Sequence, residues 1–370
     1  MKTLYLDDAA TTKVRKEVVK EMEKYYFEDY GNPSSRHEMG ERARRAVDDA
    51  REKLSREINA KPWELIFTSG VTEANNLALQ GLARVSKRKK IIISAIEHAA
   101  IMETCSYLEK RGYKIIKIPV NKEGLLRLNI LEREIDNGTL LVSVMHVNNV
   151  LGTMQDLKAI GEICKRKGVL FHTDASQSFG KLDINVKNMN IDLLSASSHK
   201  IGGPKGCGFL YVREGINISP LIFGGGQERG LRGGTENVPA IVGFSMALEL
   251  MKKVNKEKIR KIRDKLIIEL EKIGKINGSK TDRIYNNIHL SISGIEADTL
   301  VAFLSRHEVY VSTGSACESK REKEDHVLKA IGLNDEEIRG SIRITVNEDI
   351  SEKDVSYIVN EIRRDVGKLR

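Results

Sequence analysis

The sequence predicts an α/β protein, with a mainly parallel sheet covered by helices on both faces and a smaller α+β domain after it. Three observations carry this. Short apolar runs such as Leu65-Ile-Phe-Thr68 and Ile91-Ile-Ile-Ser-Ala-Ile96 alternate with amphipathic stretches, the pattern of strands buried on both faces. Polar groups recur where each of these runs ends. A long helical stretch, Pro239 to Gly274, then separates this region from a second series of strands and helices. The large domain is expected over residues 13–252. The small one is expected over 1–12 plus 253–370.

In order, Tyr5–Thr12 reads as an extended lead-in and Lys13–Tyr26 as a charged helix, broken by Gly31-Asn-Pro-Ser-Ser35. Ala43, Ala46, Val47, Ala50, Leu54 and Ile58 recur at three- and four-residue steps, the mark of a helix with one apolar face. Leu65–Thr68 is a strand, Ser69-Gly70-Val71 a turn and Thr72 the start of a helix. That turn aims free N–H groups and the positive end of a helix dipole at one point, a natural phosphate site, although an ordinary turn capped by Thr72 fits equally well. Its spacing matches no nucleotide-binding glycine motif.

Ile91–Ile96 then delivers Glu97 and His98, and a helix runs on through Cys105. Ile115–Val120 and Leu140–Val147 are further strands, the second ending in Asn148-Asn149. After a helix over Asp156–Lys167, Val169–Asp174 brings His172 and Asp174 to its end. Ile191–Ala196 leads into Ser197-Ser-His-Lys200, and Gly208–Val212 is the last strand of this region. A glycine-rich loop beginning at Gly224 carries Arg229, Arg232 and Thr235. Beyond the helical stretch come strands at Asn287–Ser293, Val309–Val311 and Ser341–Val346, and helices at Ala297–Leu304, Val327–Ile331 and Lys353–Leu369. The last helix opens on Ser351-x-x-Asp354, a capping pattern.

Composition narrows the classes of function. The chain has 370 residues, 31% charged and 5% aromatic, with a net charge of +9. Because the charges are interleaved and aromatics are few, neither a nucleic-acid groove nor a base-stacking platform is expected. No apolar run approaches the ~18 residues of a membrane span, and no secretory signal is legible, so a cytoplasmic location without membrane contact is expected. Cys105, Cys164, Cys207 and Cys317 have no Cys-x-x-Cys spacing, which argues against a zinc site or a disulfide framework, and no metal is expected.

Any one strand-end group has a bland explanation: a lone Lys is usually solvated, a lone His structural, a lone Asp a cap. Together, a phosphate turn at Thr72, His98, Asp174 and Lys200 describe a pyridoxal phosphate pocket. Lys200 would hold the aldehyde, Asp174 would keep the pyridine nitrogen protonated and His98 would stack on the ring.

With these residues in view, the chain closely resembles the cysteine desulfurases, the NifS/IscS-like branch of class V, fold-type I pyridoxal phosphate enzymes. The resemblance runs nearly end to end, through Tyr5-Leu-Asp-Asp-Ala-Ala-Thr-Thr, Thr68-Ser-Gly-Val-Thr-Glu-Ala-Asn-Asn, Glu97-His98, His146-Val-Asn-Asn, Asp174-Ala-Ser-Gln177, Ser198-His-Lys-Ile-Gly-Gly-Pro, Arg232-Gly-Gly-Thr-Glu-Asn and Ser312-Thr-Gly-Ser-Ala-Cys317. It implies that Lys200 is the aldehyde-binding lysine, Asp174 the ring-nitrogen partner and His98 the stacking residue and an acid/base. Gln177 would bond the ring hydroxyl. Thr72, Ser197 and His199 would hold the phosphate, with Thr235 arriving from the second subunit of a homodimer. Asn149 and Arg343 would grip the substrate carboxylate. Without the resemblance, Arg343 in Ser-Ile-Arg-Ile-Thr reads as a surface-strand arginine.

Cys317, in a Ser/Gly stretch before Glu318–Asp325, is expected on an exposed loop, and by resemblance takes sulfur from L-cysteine as a persulfide and leaves L-alanine. The sulfur would go to an acceptor or iron–sulfur scaffold protein, for cluster assembly or for thiolation of a cofactor or tRNA. The chain has Asn148-Asn-Val-Leu-Gly152 where the family often has Asn-Asn-Glu-x-Gly, and lacks the usual Leu-Gly-Arg after Arg343. Alternatives are a selenocysteine lyase or other class V enzyme such as an aminotransferase, which alanine formed without a keto acid would separate, and a non-catalytic sulfur-assembly scaffold, which a colourless protein that cannot be reconstituted with cofactor would favour.

Overall fold

The structure, a computed structural model, describes residues 2–313 and 326–370. After β1 (Leu4–Tyr5) and the helices Lys16–Phe27 and Glu38–Glu57, seven strands form one sheet: β2 (Leu65–Thr68), β3 (Lys90–Ser94), β4 (Lys114–Ile118), β5 (Thr139–Ser143), β6 (Leu170–Asp174), β7 (Leu193–Ser197) and β8 (Gly208–Val212). Their order is β2-β8-β7-β6-β5-β3-β4. All share one direction except β8, which runs antiparallel between β2 and β7. The short return from β7 explains this, because a parallel neighbour needs a crossover of a dozen or more residues, usually through a helix.

The strands form where β-branched residues can be buried on both faces. Ile91 and Ile93 face one layer, with Leu77, Leu82, Ile101 and Cys105 from the helices Val71–Val85 and Ala99–Glu109. Ile92, Val142, Phe171 and Leu194 face the other, with the helices Glu38–Glu57, Leu157–Lys167 and Val238–Lys252. The expected Pro239–Gly274 stretch is two helices, Val238–Lys252 and Lys256–Leu270. Asn255 starts the second by accepting from the Lys258 N–H at 2.9 Å.

A second sheet comprises β9 (Lys275–Asn277), β10 (Asn287–Ser291), β12 (Ser312–Thr313) and β13 (Ser341–Thr345), in the order β12-β13-β10-β9. Between β10 and β12, β11 (Val309–Tyr310) pairs parallel with β1, tying the amino terminus to this region. The two faces of the sheet differ. Ile288, Leu290, Ile342 and Ile344 join the apolar core, while His289, Ser291, Ser341 and Arg343 alternate with them and are also buried. The helix Glu352–Leu369 opens on the expected capping box, with the Ser351 N–H donating to Asp354 at 2.7 Å. The helices Leu128–Glu134 and Asp335–Arg339 and the strands β9 and β12 are too short for periodicity to reveal them. Among the described residues no helix is long and apolar enough to cross a membrane.

Candidate active site

Because β2, β3, β5, β6 and β7 share one direction, the segments leaving their carboxyl ends emerge at one sheet edge. Those segments carry Thr72, His98, Asn149, Asp174, and Ser197 with His199 and Lys200. Open α/β sheets place their ligands at this edge.

Asp174 is buried at the end of β6 and accepts hydrogen bonds from Asn75 Nδ2 (2.7 Å), the Ser176 N–H (2.9 Å) and the Ser176 hydroxyl (2.5 Å). Such donors hold a carboxylate in one orientation. Asn75 lies on the sheet-facing side of the helix Val71–Val85, so this one bond joins the candidate phosphate turn to β6. The helix is capped by Gly70, at φ +152°, rather than by Thr72, which lies exposed within the first turn. A Cβ built on Gly70 would meet nothing within 4 Å, so the turn opens onto free space.

Lys200 ends a short 3-10 turn, Ser198–Lys200, and donates to the carbonyls of Ala9 and Ala10, each at 2.7 Å. Gln177 donates to the same Ala9 carbonyl at 2.8 Å. The amino-terminal segment therefore binds together the loops that leave β6 and β7. Neighbouring His199 meets Thr11 Oγ1 at 3.1 Å, and burial together with Lys200, Lys205 and Lys181 pushes its pKa down to about 4, leaving it neutral. Ser197 is buried at the end of β7.

His98 caps the helix Ala99–Glu109, with Nδ1 accepting from the Ala100 N–H at 3.1 Å. Glu97, just before it, is fully buried and bonded to Ser94 Oγ (2.5 Å) and the Met145 N–H (2.9 Å). Below the edge, His172 reaches Ser143 (2.8 Å) and Ser195 (3.0 Å), linking β6 to both neighbouring strands.

Arg343 is not a surface residue. It is 1% exposed on β13, opposite His289, and its Nη2 donates to Asp7 Oδ1 at 2.6 Å while Nη1 reaches the Asn149 carbonyl at 3.2 Å. A surface arginine would have been solvated; here Asp7, distant in sequence, compensates the buried charge. Nε of Arg343 has no hydrogen-bond partner. Thr235 stays apart: it is exposed, and among the described residues no hydrogen bond joins it to this chain's strand ends. Cys317 lies outside the described residues. Cys105, Cys164 and Cys207 are buried free thiols, each pushed up to about 12, chiefly by burial, and so poor nucleophiles.

The donor set suits pyridoxal phosphate: an amine at Lys200, an oriented carboxylate at Asp174 and an open helix start at Gly70. Sequence reasoning missed Asn75, although a polar residue among Ala74, Leu77 and Ala78 on a helix's buried face was a legible signal. Arg232 was singled out on the glycine-rich loop without a role; it pairs with Glu73 at 3.0 Å and ties that loop to the same helix start. Away from this edge, His307, Glu361 and Asp365 come within 4.8 Å of one another, but Arg364 and Lys368 already pair with the carboxylates.

The chain is similar to known proteins over nearly its whole length. The family model described as Aminotransferase class-V matches residues 4–358. A protein named Cysteine desulfurase IscS from Methanosarcina thermophila is 44% identical, with 100% of this chain and 93% of that protein aligned. Cysteine desulfurase IscS 1 from Archaeoglobus fulgidus is 41% identical, over 99% and 97% of the two chains. Among solved structures, one titled NifS-like protein superposes with a TM-score of 0.93 at 38% identity, covering 99% of this chain and 100% of that one. Another, titled SspA in complex with cysteine, gives 0.85 at 38% identity, covering 93% and 99%.

Proposed function

The chain belongs to the class-V aminotransferase family, and from that membership we infer that it is a pyridoxal phosphate-dependent cysteine desulfurase, converting L-cysteine to L-alanine. The observation that carries the reading is Lys200 at the carboxyl edge of the sheet, sharing the Ala9 carbonyl with Gln177, three residues beyond the oriented carboxylate of Asp174.

Bound pyridoxal phosphate supplies an aldehyde for the substrate amine and an electron-withdrawing ring beside its Cα. Asp174, fixed by Asn75 and Ser176, would pair with the ring nitrogen. Gln177 would meet the ring hydroxyl, and His98 would cover the ring and serve as an acid/base. Thr72, Ser197 and neutral His199 would hold the phosphate together with Thr235 of the partner subunit. Arg343 and Asn149 would receive the substrate carboxylate, Arg343 through donors beyond those given to Asp7 and the Asn149 carbonyl.

Lys200, once free, takes the Cα proton as general base. The Cys317 thiolate then attacks the substrate sulfur. The new S–S bond forms as the Cβ–S bond breaks, and the electron pair left on carbon is quenched by a proton. Alanine leaves, and Cys317 carries the sulfur as a persulfide for an acceptor or iron–sulfur scaffold protein. Further parts of this reading are a cytoplasmic homodimer, a cofactor domain over 13–252, and a smaller domain over 1–12 plus 253–370 that carries Cys317. The confinement of the seven-stranded sheet to residues 65–212 supports that division.

Incubation with L-cysteine and a thiol reductant should yield alanine and sulfide together. Cys317→Ser should lose both by orders of magnitude, and a brief cysteine pulse should add one sulfur to the wild-type peptide bearing Cys317. Normal turnover by Cys317→Ser would sink the reading.

A further inference from the structure

The polar face of the second sheet carries a row across its strands: Asn277 on β9 stands opposite His289 on β10, His289 opposite Arg343 on β13, and Arg343 opposite Ser312 on β12. All four are buried. Hydrogen bonds along this face fix which nitrogen of His289 holds its proton. Ser341 Oγ gives its one hydrogen to the Glu337 carbonyl at 2.6 Å, because a carbonyl can only accept. Ser341 must therefore accept from Ser291 at 2.7 Å, which spends the Ser291 hydrogen. Ser291 in turn accepts from Asn277 Nδ2 at 2.7 Å. The same amide nitrogen meets His289 Nδ1 at 3.1 Å, so Nδ1 offers a lone pair and the proton sits on Nε2. Burial, with Arg283 and Arg343 nearby, holds the His289 pKa down to about 3, so the ring stays neutral and keeps this tautomer.

The two ring nitrogens diverge, so with Nδ1 turned to Asn277, Nε2 is turned away from β9. Arg343 is the next residue across the sheet on that side. His289 Nε2 and Arg343 Nε are both buried, and among the described residues neither has a hydrogen-bond partner. Both are donors, so neither can serve the other. Thr345 Oγ1 and Asn287 Oδ1, from the neighbouring opposed pair on the same face, are buried without a partner too. Buried polar groups are seldom left so, and an internal water with about three polar contacts is a common resolution. The guanidinium of Arg343 gains from it. Nη2 already donates to Asp7 and Nη1 to the Asn149 carbonyl, so anchoring Nε as well fixes its plane. Of the five N–H donors of an arginine, two then remain, enough for both oxygens of a carboxylate.

We propose that His289 is a positioning residue for Arg343: one buried water accepts from His289 Nε2 and Arg343 Nε and holds the guanidinium in the plane that meets the substrate carboxylate. The inference rests on the reading of Arg343 as the carboxylate-binding residue.

The test compares L-alanine with ethylamine, which lacks only the carboxylate, each titrated into the holoenzyme and followed by the absorbance of the bound cofactor. His289→Phe keeps a ring and removes the donor; the L-alanine Kd should rise roughly tenfold and the ethylamine Kd by less than about twofold. His289→Gln restores an N–H and should bring the L-alanine Kd back to within about threefold of wild type. Equal weakening of both ligands, or of neither, overturns the proposal, as does a failure of His289→Gln to recover. Should His289→Phe not fold, the wild-type protein still decides. Nitrogen NMR spectra of its histidines should show His289 protonated at Nε2 and bare at Nδ1, and the opposite tautomer overturns the water bridge. Arg343→Gln separates this inference from the reading beneath it. If that variant weakens L-alanine no more than ethylamine, Arg343 is not the carboxylate-binding residue. If it weakens L-alanine selectively and His289→Phe does not, the role of His289 alone fails.

Discussion

Glu97 stands beside the candidate stacking residue and never reaches solvent. One carboxyl oxygen accepts from Ser94 and Met145, while the other is buried without a hydrogen-bond partner. Burial, with a smaller contribution from Asp174, pushes its pKa up from 4.5 to about 8. The folded state therefore holds a proton that the unfolded chain has released, and this contribution to stability is lost as pH rises from about 4.5 through about 8. His146 works in the opposite sense: burial lowers it from 6.5 to about 4, so its contribution is present above 6.5 and lost as pH falls toward 4. Glu97→Gln keeps the shape and removes the titration. Its melting temperature should gain on wild type progressively from pH 5 to about 8, and parallel melting curves across that range would refute a protonated Glu97.

At the scale of elements, β2 is an edge strand of the large sheet, and side chains cover its free edge. Glu228 accepts from the Phe67 N–H at 2.9 Å, and Arg51 and Arg229 donate to the Leu65 carbonyl at 3.0 and 2.8 Å. This blocks pairing with another chain and docks the glycine-rich loop in the same contacts. The docking imposes left-handed backbone on Glu228 (φ +46°) and Arg229 (φ +58°). Such strain costs of order 1–3 kcal/mol per residue, and persists only where the surroundings over-determine it. Here the surroundings include the buried bidentate pair of Arg51 and Glu228, with both bonds at 2.7 Å. Arg51→Met should leave a buried, uncompensated carboxylate and cost roughly 3–5 kcal/mol in urea unfolding. A loss below about 1 kcal/mol would mean that the loop is anchored elsewhere.

For the whole molecule, the exposed apolar side chains point to a missing surface. Phe223 is 75% exposed and Ile222 42%, immediately before the loop that carries exposed Thr235. Burying one such phenylalanine stabilises an association by roughly 1.5–3 kcal/mol, and a charge in its place would have to be desolvated. If the proposed homodimer, in which Thr235 reaches the second subunit's phosphate, forms through this patch, Phe223→Asp should sediment as a monomer and lose most alanine formation. A dimer with unchanged turnover would show that Phe223 lies outside the interface.

The runs that became strands were legible because burial on both faces demands continuous apolar sequence. Leu65–Thr68 and Gly208–Val212 begin and end where the pattern predicts, and Ser351-x-x-Asp354 starts its helix as a capping box does. That Lys200, Asp174 and His98 share one sheet edge was legible from their positions after such runs, since one shared strand direction suffices to place them there. Local pattern reports which side of an element is buried, and is silent about what lies across from it. The sequence alone therefore left open the direction of β8, the break at Asn255 and the partner of Asn75. Arg343 is the sharpest case. A strand arginine reads as solvated until Asp7, 336 residues away in the chain, is brought to its guanidinium. Lys200 likewise meets its carbonyl partners across 191 and 190 residues. A buried charge is tolerated only where its compensation is brought to it, and tertiary folding alone decides that meeting.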